Sequence, residues 1–174
     1  MKDPFKYLLF FLLTSSLMFA CVADDDPPTS GTELTIGDRI PPFSIILNNG
    51  KQYSDKDLLG SVSLIVFFNT ACKDCQQELP VLQQFYNSYP SYPLLCISRA
   101  ESAQSISSYW KEHKLTLPYS AQEDRSLYEK FAKQTIPRIY IMDKEGIIRH
   151  LFTDNPLATL EDLITSVQQT ESAQ

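Results

Sequence analysis

A continuous apolar run in the middle of the chain restricts the possible folds more than any other feature of the sequence. Residues 62–68 read Val-Ser-Leu-Ile-Val-Phe-Phe, so every residue but one is apolar, and most are β-branched or aromatic. A strand that buries only one face alternates apolar with polar residues, whereas this run does not. It therefore predicts a central strand that is covered on both faces.

Strand-like and helix-like patterns alternate around this run. We predict strands at 43–47, 94–98, 138–142 and 147–152, with a hairpin turn at Asn48-Asn49-Gly50. Helices are predicted at 72–88, 103–113, 126–133 and 157–168, with a short helical turn at 55–59. Alternation that ends in a hairpin and a helix indicates an α/β fold with a mixed sheet.

The first twenty residues have the pattern of a secretory signal peptide. Lys2 and Lys6 precede a short apolar segment, and the small residue Ala20 precedes Cys21. A transmembrane helix needs about 20 apolar residues, so an uncleaved anchor helix is the weaker alternative. Residues 17–21 also resemble a bacterial lipobox, in which the cysteine is lipidated and becomes the mature N-terminus. Met18 stands where Leu is usual, which leaves plain secretion open.

The predicted domain organisation follows from composition. Residues 21–35 are rich in Asp, Pro and Ser and poor in apolar side chains, so we predict a lipidated Cys21 followed by a flexible acidic tether. Its three aspartates resemble the surface-export signal of some Bacteroidetes lipoproteins, although a solvated spacer is the better explanation of them. Residues 36–170 form the predicted domain, and 171–174 a disordered tail. The net charge of −6, without any basic cluster, excludes a nucleic-acid partner.

Two cysteines, Cys72 and Cys75, fall at the predicted start of a helix, directly after the buried strand. Free N–H groups and aligned peptide dipoles at a helix N-terminus favour the thiolate of the first cysteine. The second, one turn further along and more buried, stays a thiol until it attacks a mixed disulfide. A structural disulfide is the alternative. A zinc site would need further ligands, and Cys96, His113 and His150 are isolated, so we expect no metal and no other cofactor.

The residues around this pair resemble the active site of TlpA-like thioredoxin-fold proteins, a group that includes ResA. Residues 67–80, Phe-Phe-Asn-Thr-Ala-Cys-Lys-Asp-Cys-Gln-Gln-Glu-Leu-Pro, resemble the active-site strand and helix of that family. Thr135-Ile136-Pro137 precedes a predicted strand, as the cis-proline loop of the family does. The resemblance extends from about residue 36 to 168. It implies a thioredoxin-like fold, with a central mixed sheet flanked by helices and an N-terminal β-hairpin extension.

The resemblance also implies a role for each matching residue. The two cysteines become the nucleophile and the resolving thiol, and Glu78 assists proton movement, its alternative being an exposed helix carboxylate. Pro137 becomes a cis-proline that faces the disulfide, with the backbone of Ile136 turned toward a substrate strand; a trans proline is the alternative. Arg138 offers its charge to the nucleophile or to an acidic substrate, or else points to solvent. Ala71 replaces the usual Trp, which implies a more open site.

The function implied by the resemblance is an extracytoplasmic thiol–disulfide oxidoreductase, tethered to a membrane by lipid, that reduces disulfides in exported proteins. Cytochrome c maturation is one role of the family, and a membrane electron donor is expected as a partner. We expect a monomer. One alternative is a peroxiredoxin-like peroxidase, since Thr70 lies close before Cys72, but it is one position too near and the matching Pro is missing. Another is a non-catalytic, membrane-tethered binding lipoprotein.

Overall fold

The structure, a computed structural model, describes residues 33–173. The predicted signal peptide, the lipidation site Cys21, most of the tether and the terminal Gln174 lie outside these residues. Within residues 33–173, no helix has both the length and the apolar character needed to cross a bilayer.

Within residues 33–173, seven strands form a small hairpin and a mixed sheet. Their bounds are β1 Ser44–Ile46, β2 Gln52–Ser54, β3 Ser63–Phe68, β4 Leu94–Ser98, β5 Tyr119–Ser120, β6 Arg138–Met142 and β7 Ile148–Phe152. The N-terminal hairpin pairs β1 with β2, and the larger sheet has the order β5-β4-β3-β6-β7. Strand β3 runs parallel to β4 and antiparallel to β6. The predicted mixed sheet, N-terminal hairpin and central strand are therefore confirmed, whereas the short edge strand β5 was not predicted.

In the described part of the chain, three helices cover one face of the sheet. They are α1 Lys73–Ser88, α2 Ala103–His113 and α3 Leu160–Ser172. Helix α1 continues through Pro80 and buries an apolar stripe that includes Leu79, Leu82 and Phe85. It packs against α3, and its Leu79 and Pro80 share a small groove with Tyr109 of α2.

Alternate residues of β3 build the two layers of the core. All six of its side chains are buried. The ring of Phe68 points toward the helices, with its centroid 5.0 Å from that of Trp110. Phe67 points to the opposite face, where its ring lies 4.9 Å from Phe131 and 6.3 Å from Tyr140. Burial on both sides explains why the sequence of this strand lacks polar alternation.

The predicted helix at 126–133 is wrong. Only a short 3-10 turn forms, at Tyr128–Lys130. The carbonyl of Phe131 accepts the N–H of Leu34 at 2.8 Å and the hydroxyl of Tyr140 at 3.1 Å. In a continuing helix, the carbonyl of Phe131 would accept an N–H from the following turn. Here it accepts groups from distant residues, so the segment bends and the helix does not extend.

The last helix begins and ends later than predicted. It spans Leu160–Ser172 in place of 157–168, because Thr159 and Asp162 form a capping box at its N-terminus. At its other end, the carboxylate of Glu171 accepts the hydroxyl of Tyr92 at 2.6 Å. The predicted disordered tail at 171–174 is therefore wrong for residues 171 and 172.

The domain also begins earlier than the predicted boundary at residue 36. Leu34 is fully buried, and its N–H is bonded to Phe131, so it belongs to the core and not to the tether. We expect Leu34→Ala to lower the free energy of unfolding by about 2–4 kcal/mol in a urea titration, since it removes a buried side chain. Ile36, which is 62% exposed, supplies the control. A Leu34→Ala loss no larger than that of Ile36→Ala would return the boundary to residue 36.

Candidate active site

The two cysteines lie where the sequence predicts, at the end of β3. Strand β3 ends at Phe68, and after a three-residue loop Cys72 caps the N-terminus of α1. The N–H of Cys75 donates to the Cys72 sulfur at 3.4 Å. Cys72 is half-buried and Cys75 fully buried, and both are free thiols. The pair therefore presents one accessible sulfur, with a second held beneath it.

The loop between β3 and α1 is held by the segment that follows β4. The carboxylate of Glu101 accepts the N–H of Thr70 at 2.8 Å and also its hydroxyl. The Asn69 side chain accepts the N–H of Ala71 at 2.9 Å and donates to the carbonyl of Arg99 at 3.3 Å. Sequence reasoning missed Glu101. Parallel strands end at the same edge of a sheet, so the position of Glu101 just after β4 could have indicated that it lies near the loop after β3.

The proline loop lies against the first cysteine. The Ile136–Pro137 bond is cis, which confirms the predicted isomer. The Cys72 thiol donates to the carbonyl of Ile136 across 3.5 Å, a weak hydrogen bond appropriate to sulfur. The structure therefore brings together residues that are 64 positions apart in the chain.

Tyr128 anchors this loop and was also missed. Its ring is 1% exposed, and its hydroxyl is placed to donate to the carbonyls of Gln134 and Thr135, the latter at 2.7 Å. Thr135 adopts a left-handed backbone conformation, with φ of 60°. No short motif identifies this anchor, because it depends on how the chain bends between Tyr128 and the carbonyls of Gln134 and Thr135.

Glu78 lies in the buried layer with the second thiol. It is only 2% exposed, so the alternative of an exposed helix carboxylate is wrong. One carboxylate oxygen, Oε1, accepts the N–H of Ala158 at 2.9 Å, while Oε2 is buried without a partner among the described residues. Burial raises the pKa of Glu78 to about 7. Burial likewise raises the pKa of the Cys75 thiol far above its usual value, and the negative charge of Glu78 adds to this effect.

The raised pKa of Glu78 has a consequence for stability. A carboxyl group with a higher pKa in the folded state than in the unfolded state contributes to the free energy of unfolding. This contribution is complete at pH values below the unfolded pKa, and it is lost as the pH rises through the folded pKa. With values of 4.5 and about 7, the free energy of unfolding should fall by about 3 kcal/mol over this window. We expect urea titrations to show this fall in the wild type and not in Glu78→Gln. Parallel pH profiles for the two proteins would contradict it.

Arg138 lies at the start of β6, with its charge engaged by another residue of the fold. Its side chain is buried, so the solvent-facing alternative is wrong. The guanidinium pairs with Glu33 and donates to the hydroxyls of Tyr140 and Thr135, each at 3.3 Å. No hydrogen bond or ion pair links it to Cys72 among residues 33–173.

The remaining candidate ligands stay apart. Cys96 is completely buried in β4, as a core residue, and burial raises the pKa of its thiol. His113 is exposed and stacks on Tyr109 at 4.0 Å, and His150 lies half-buried in β7. Across the described part of the chain, no three His, Cys, Asp or Glu side chains are grouped closely enough to hold a metal ion.

Comparison with known proteins agrees with this geometry. Residues 36–151 match the model of the AhpC/TSA family. The thiol-disulfide oxidoreductase ResA of Geobacillus thermodenitrificans is 22% identical over 160 residues, which cover 91% of this chain and 90% of that protein.

Solved structures share the fold. A protein of Bacteroides thetaiotaomicron, determined in solution, superposes with a TM-score of 0.70 at 26% identity, covering 83% of this chain and 93% of its own. The thioredoxin domain of a thiol-disulfide oxidoreductase from Bacteroides vulgatus gives a TM-score of 0.68 at 22% identity, covering 79% and 98%. The fold is therefore thioredoxin-like.

Proposed function

We propose that this chain, which belongs to the AhpC/TSA family, reduces disulfides in exported proteins, with Cys72 as nucleophile and Cys75 as resolving thiol. It is a thiol–disulfide oxidoreductase, and such enzymes act on disulfide-containing substrates. The observation that carries the residue roles is the arrangement of the pair: the half-buried Cys72 caps α1 and touches the Ile136 carbonyl, while Cys75 lies buried one turn below.

The reaction takes place in two exchanges. The Cys72 thiolate attacks one substrate sulfur, and a mixed disulfide forms as the second substrate sulfur leaves as a thiolate and takes up a proton. Cys75 then loses its proton and attacks the Cys72 sulfur, so that the Cys72–Cys75 disulfide forms and the first substrate sulfur is released. Two electrons pass from the enzyme dithiol to the substrate disulfide. A dithiol donor in the membrane, which we propose as a partner, returns the enzyme to its reduced form.

Glu78 is proposed as the proton acceptor in the second exchange. The buried Cys75 thiol resists ionisation, so its attack requires a nearby base. Glu78 follows Cys75 by three residues on α1, its Oε2 is free of hydrogen bonds within the described residues, and its pKa of about 7 leaves a substantial carboxylate fraction at neutral pH.

The proline loop is proposed as the substrate-binding edge. The backbone of Ile136 lies against Cys72, so a substrate strand that reaches the nucleophile would run along this loop. Ala71 is exposed and offers only a methyl group on the other side. This combination supports an open site for polypeptide substrates.

The peroxidase alternative gains no support from Thr70. Its hydroxyl donates to the carboxylate of Glu101 and is therefore engaged away from the Cys72 sulfur. The deciding experiment measures how fast the reduced protein consumes an insulin-like protein disulfide and hydrogen peroxide. We expect rapid disulfide reduction and slow peroxide consumption. The reverse order would favour the peroxidase, and inertness toward both would favour a non-catalytic binding lipoprotein.

We further propose an extracytoplasmic location, with residues 1–20 removed as a signal peptide and Cys21 lipidated. Twelve residues separate Cys21 from Leu34. This segment could span at most about 45 Å when extended, which suits a domain working near a membrane surface. Reduction of apocytochrome c before haem attachment is the substrate role we favour. Cys21→Ser should release the protein from isolated membranes and abolish incorporation of labelled fatty acid; retention of both would reject the anchor.

A further inference from the structure

Two arginines flank the ring of Tyr128 beside the active site. The guanidinium carbons of Arg99 and Arg125 lie 5.4 and 5.3 Å from the ring centroid, and we name these three residues the arginine–tyrosine cluster. The hydroxyl of Tyr128 holds the loop that leads into Ile136, whose carbonyl touches Cys72. The cluster therefore borders the loop along which a substrate would lie.

Arg99 is also tied to the active-site loop through its backbone. Its N–H donates to the carbonyl of Phe68 at 2.8 Å, and its own carbonyl accepts from the side chain of Asn69 at 3.3 Å. Cys72 follows only four residues after Phe68. These two hydrogen bonds therefore fix the backbone of Arg99 beside the segment that leads to Cys72.

Arg99 carries a positive charge that no carboxylate among residues 33–173 pairs with. The carboxylates nearby already hold other partners: Glu101 binds Thr70, Glu129 binds Arg125, and Glu33 binds Arg138. Lys73 and Asp74, adjacent in the first turn of α1, carry opposite charges. Within the described part of the chain, the guanidinium of Arg99 is therefore available for an acidic ligand.

The cluster is also organised before any ligand arrives. Tyr128 is buried and its hydroxyl is engaged, so its ring cannot turn away. A guanidinium held over an aromatic ring by a cation–π interaction loses part of its freedom, and its planar group presents paired N–H donors, the geometry that a carboxylate accepts. Arg99 remains half-buried and not enclosed.

We propose that the arginine–tyrosine cluster binds a carboxylate of the substrate, so that the protein prefers disulfides flanked by Asp or Glu. This inference rests on the proposed function and adds a substrate class to it. Acidic side chains near the attacked sulfur would meet Arg99, while basic ones would be repelled.

The test uses three peptides that share one internal disulfide and differ only in whether Asp/Glu, Asn/Gln or Lys/Arg residues flank it. At low salt, the reduced full-length protein should reduce the acidic peptide about three to ten times faster than the amide peptide. This ratio of rates should fall toward one at about 0.5 M salt, because the ions screen the charge of Arg99. Arg99→Gln should remove most of this ratio, and Arg99→Lys should keep part of it. Arg39→Gln, at the opposite end of the sheet beside Ile147, should leave the ratio unchanged.

The outcomes separate the two proposals. Equal rates for the acidic and amide peptides, a preference for the basic peptide, or an unchanged ratio in an Arg99→Gln, Arg125→Gln double variant would each overturn the subsite and leave the oxidoreductase function intact. Failure of the wild-type protein to reduce any of the peptides would overturn the proposed function itself. Because each result is a ratio within one variant, a general loss of folded protein cannot imitate it.

Discussion

Replacing Cys72 by Ser should reduce the rate of disulfide reduction by more than about 10³-fold, because a serine hydroxyl does not ionise at neutral pH and cannot form the mixed disulfide. The expected rate is that of the dithiol donor without the enzyme. The measurement is turnover of an insulin-like disulfide with excess dithiol donor, together with a search for covalent adducts by mass spectrometry. Substantial activity in Cys72→Ser would remove the proposed mechanism.

The matching variant Cys75→Ser should behave differently. Its Cys72 can still attack, but no resolving thiol lies beneath it, so the mixed disulfide with substrate should accumulate and be visible as a stoichiometric adduct. Cys96→Ala is the appropriate control, since Cys96 is equally buried but lies in β4 and not at the start of α1. It should retain turnover, even if it costs some stability. If Cys96→Ala trapped adducts as well, the roles of the thiols would need to be reassigned.

Glu78→Gln should slow the second exchange by about 10²-fold at neutral pH, the lower end of what a positioned general base contributes. The amide can still accept the N–H of Ala158, so the fold of this region should persist, but no group remains to take the Cys75 proton. In single-turnover experiments the first exchange should proceed and the mixed disulfide should persist. In the wild type, the rate of its decay should rise with pH through about 7, as Glu78 ionises.

The control for this experiment is Glu112→Gln, which neutralises an exposed carboxylate on α2. It should leave both exchanges and their pH profiles unchanged. A rise in decay rate through pH 7 that survives in Glu78→Gln would assign the titration to another group, and Glu78 would then be a structural residue only.

Much of the fold could be predicted because its signals are local. The apolar run of β3, the bounds of β4, α2 and β6, and the cysteine pair at the start of α1 all depend on neighbouring residues, and the structure agrees with them. The errors arise where a distant partner decides the outcome. The segment at 126–133 has an acceptable helical pattern, yet it bends because Leu34 and Tyr140 take the carbonyl of Phe131.

The candidate site shows the same division between local and distant causes. Cys72 and Cys75 could be found from their spacing and flanks, since a helix start after a buried strand has a short motif, and Pro137 from the resemblance of its loop to that of a known family. The burial of Glu78 beside the start of α3 and the engagement of Arg138 by Glu33 could not, because each depends on segments far apart in the chain. The anchor at Tyr128 joins residues only seven positions apart, but no short motif identifies it.

The apolar run at 62–68 and the cysteines that follow it therefore determined the class of fold and the position of the nucleophile without further information, because a buried strand followed by a helix start is encoded in adjacent residues. Only the tertiary structure decided how these thiols are surrounded. Burial raises the pKa values of Glu78 and Cys75, and it depends on which other elements of the fold pack against these two side chains. The unpaired charge of Arg99 depends likewise on which carboxylates the fold has already engaged.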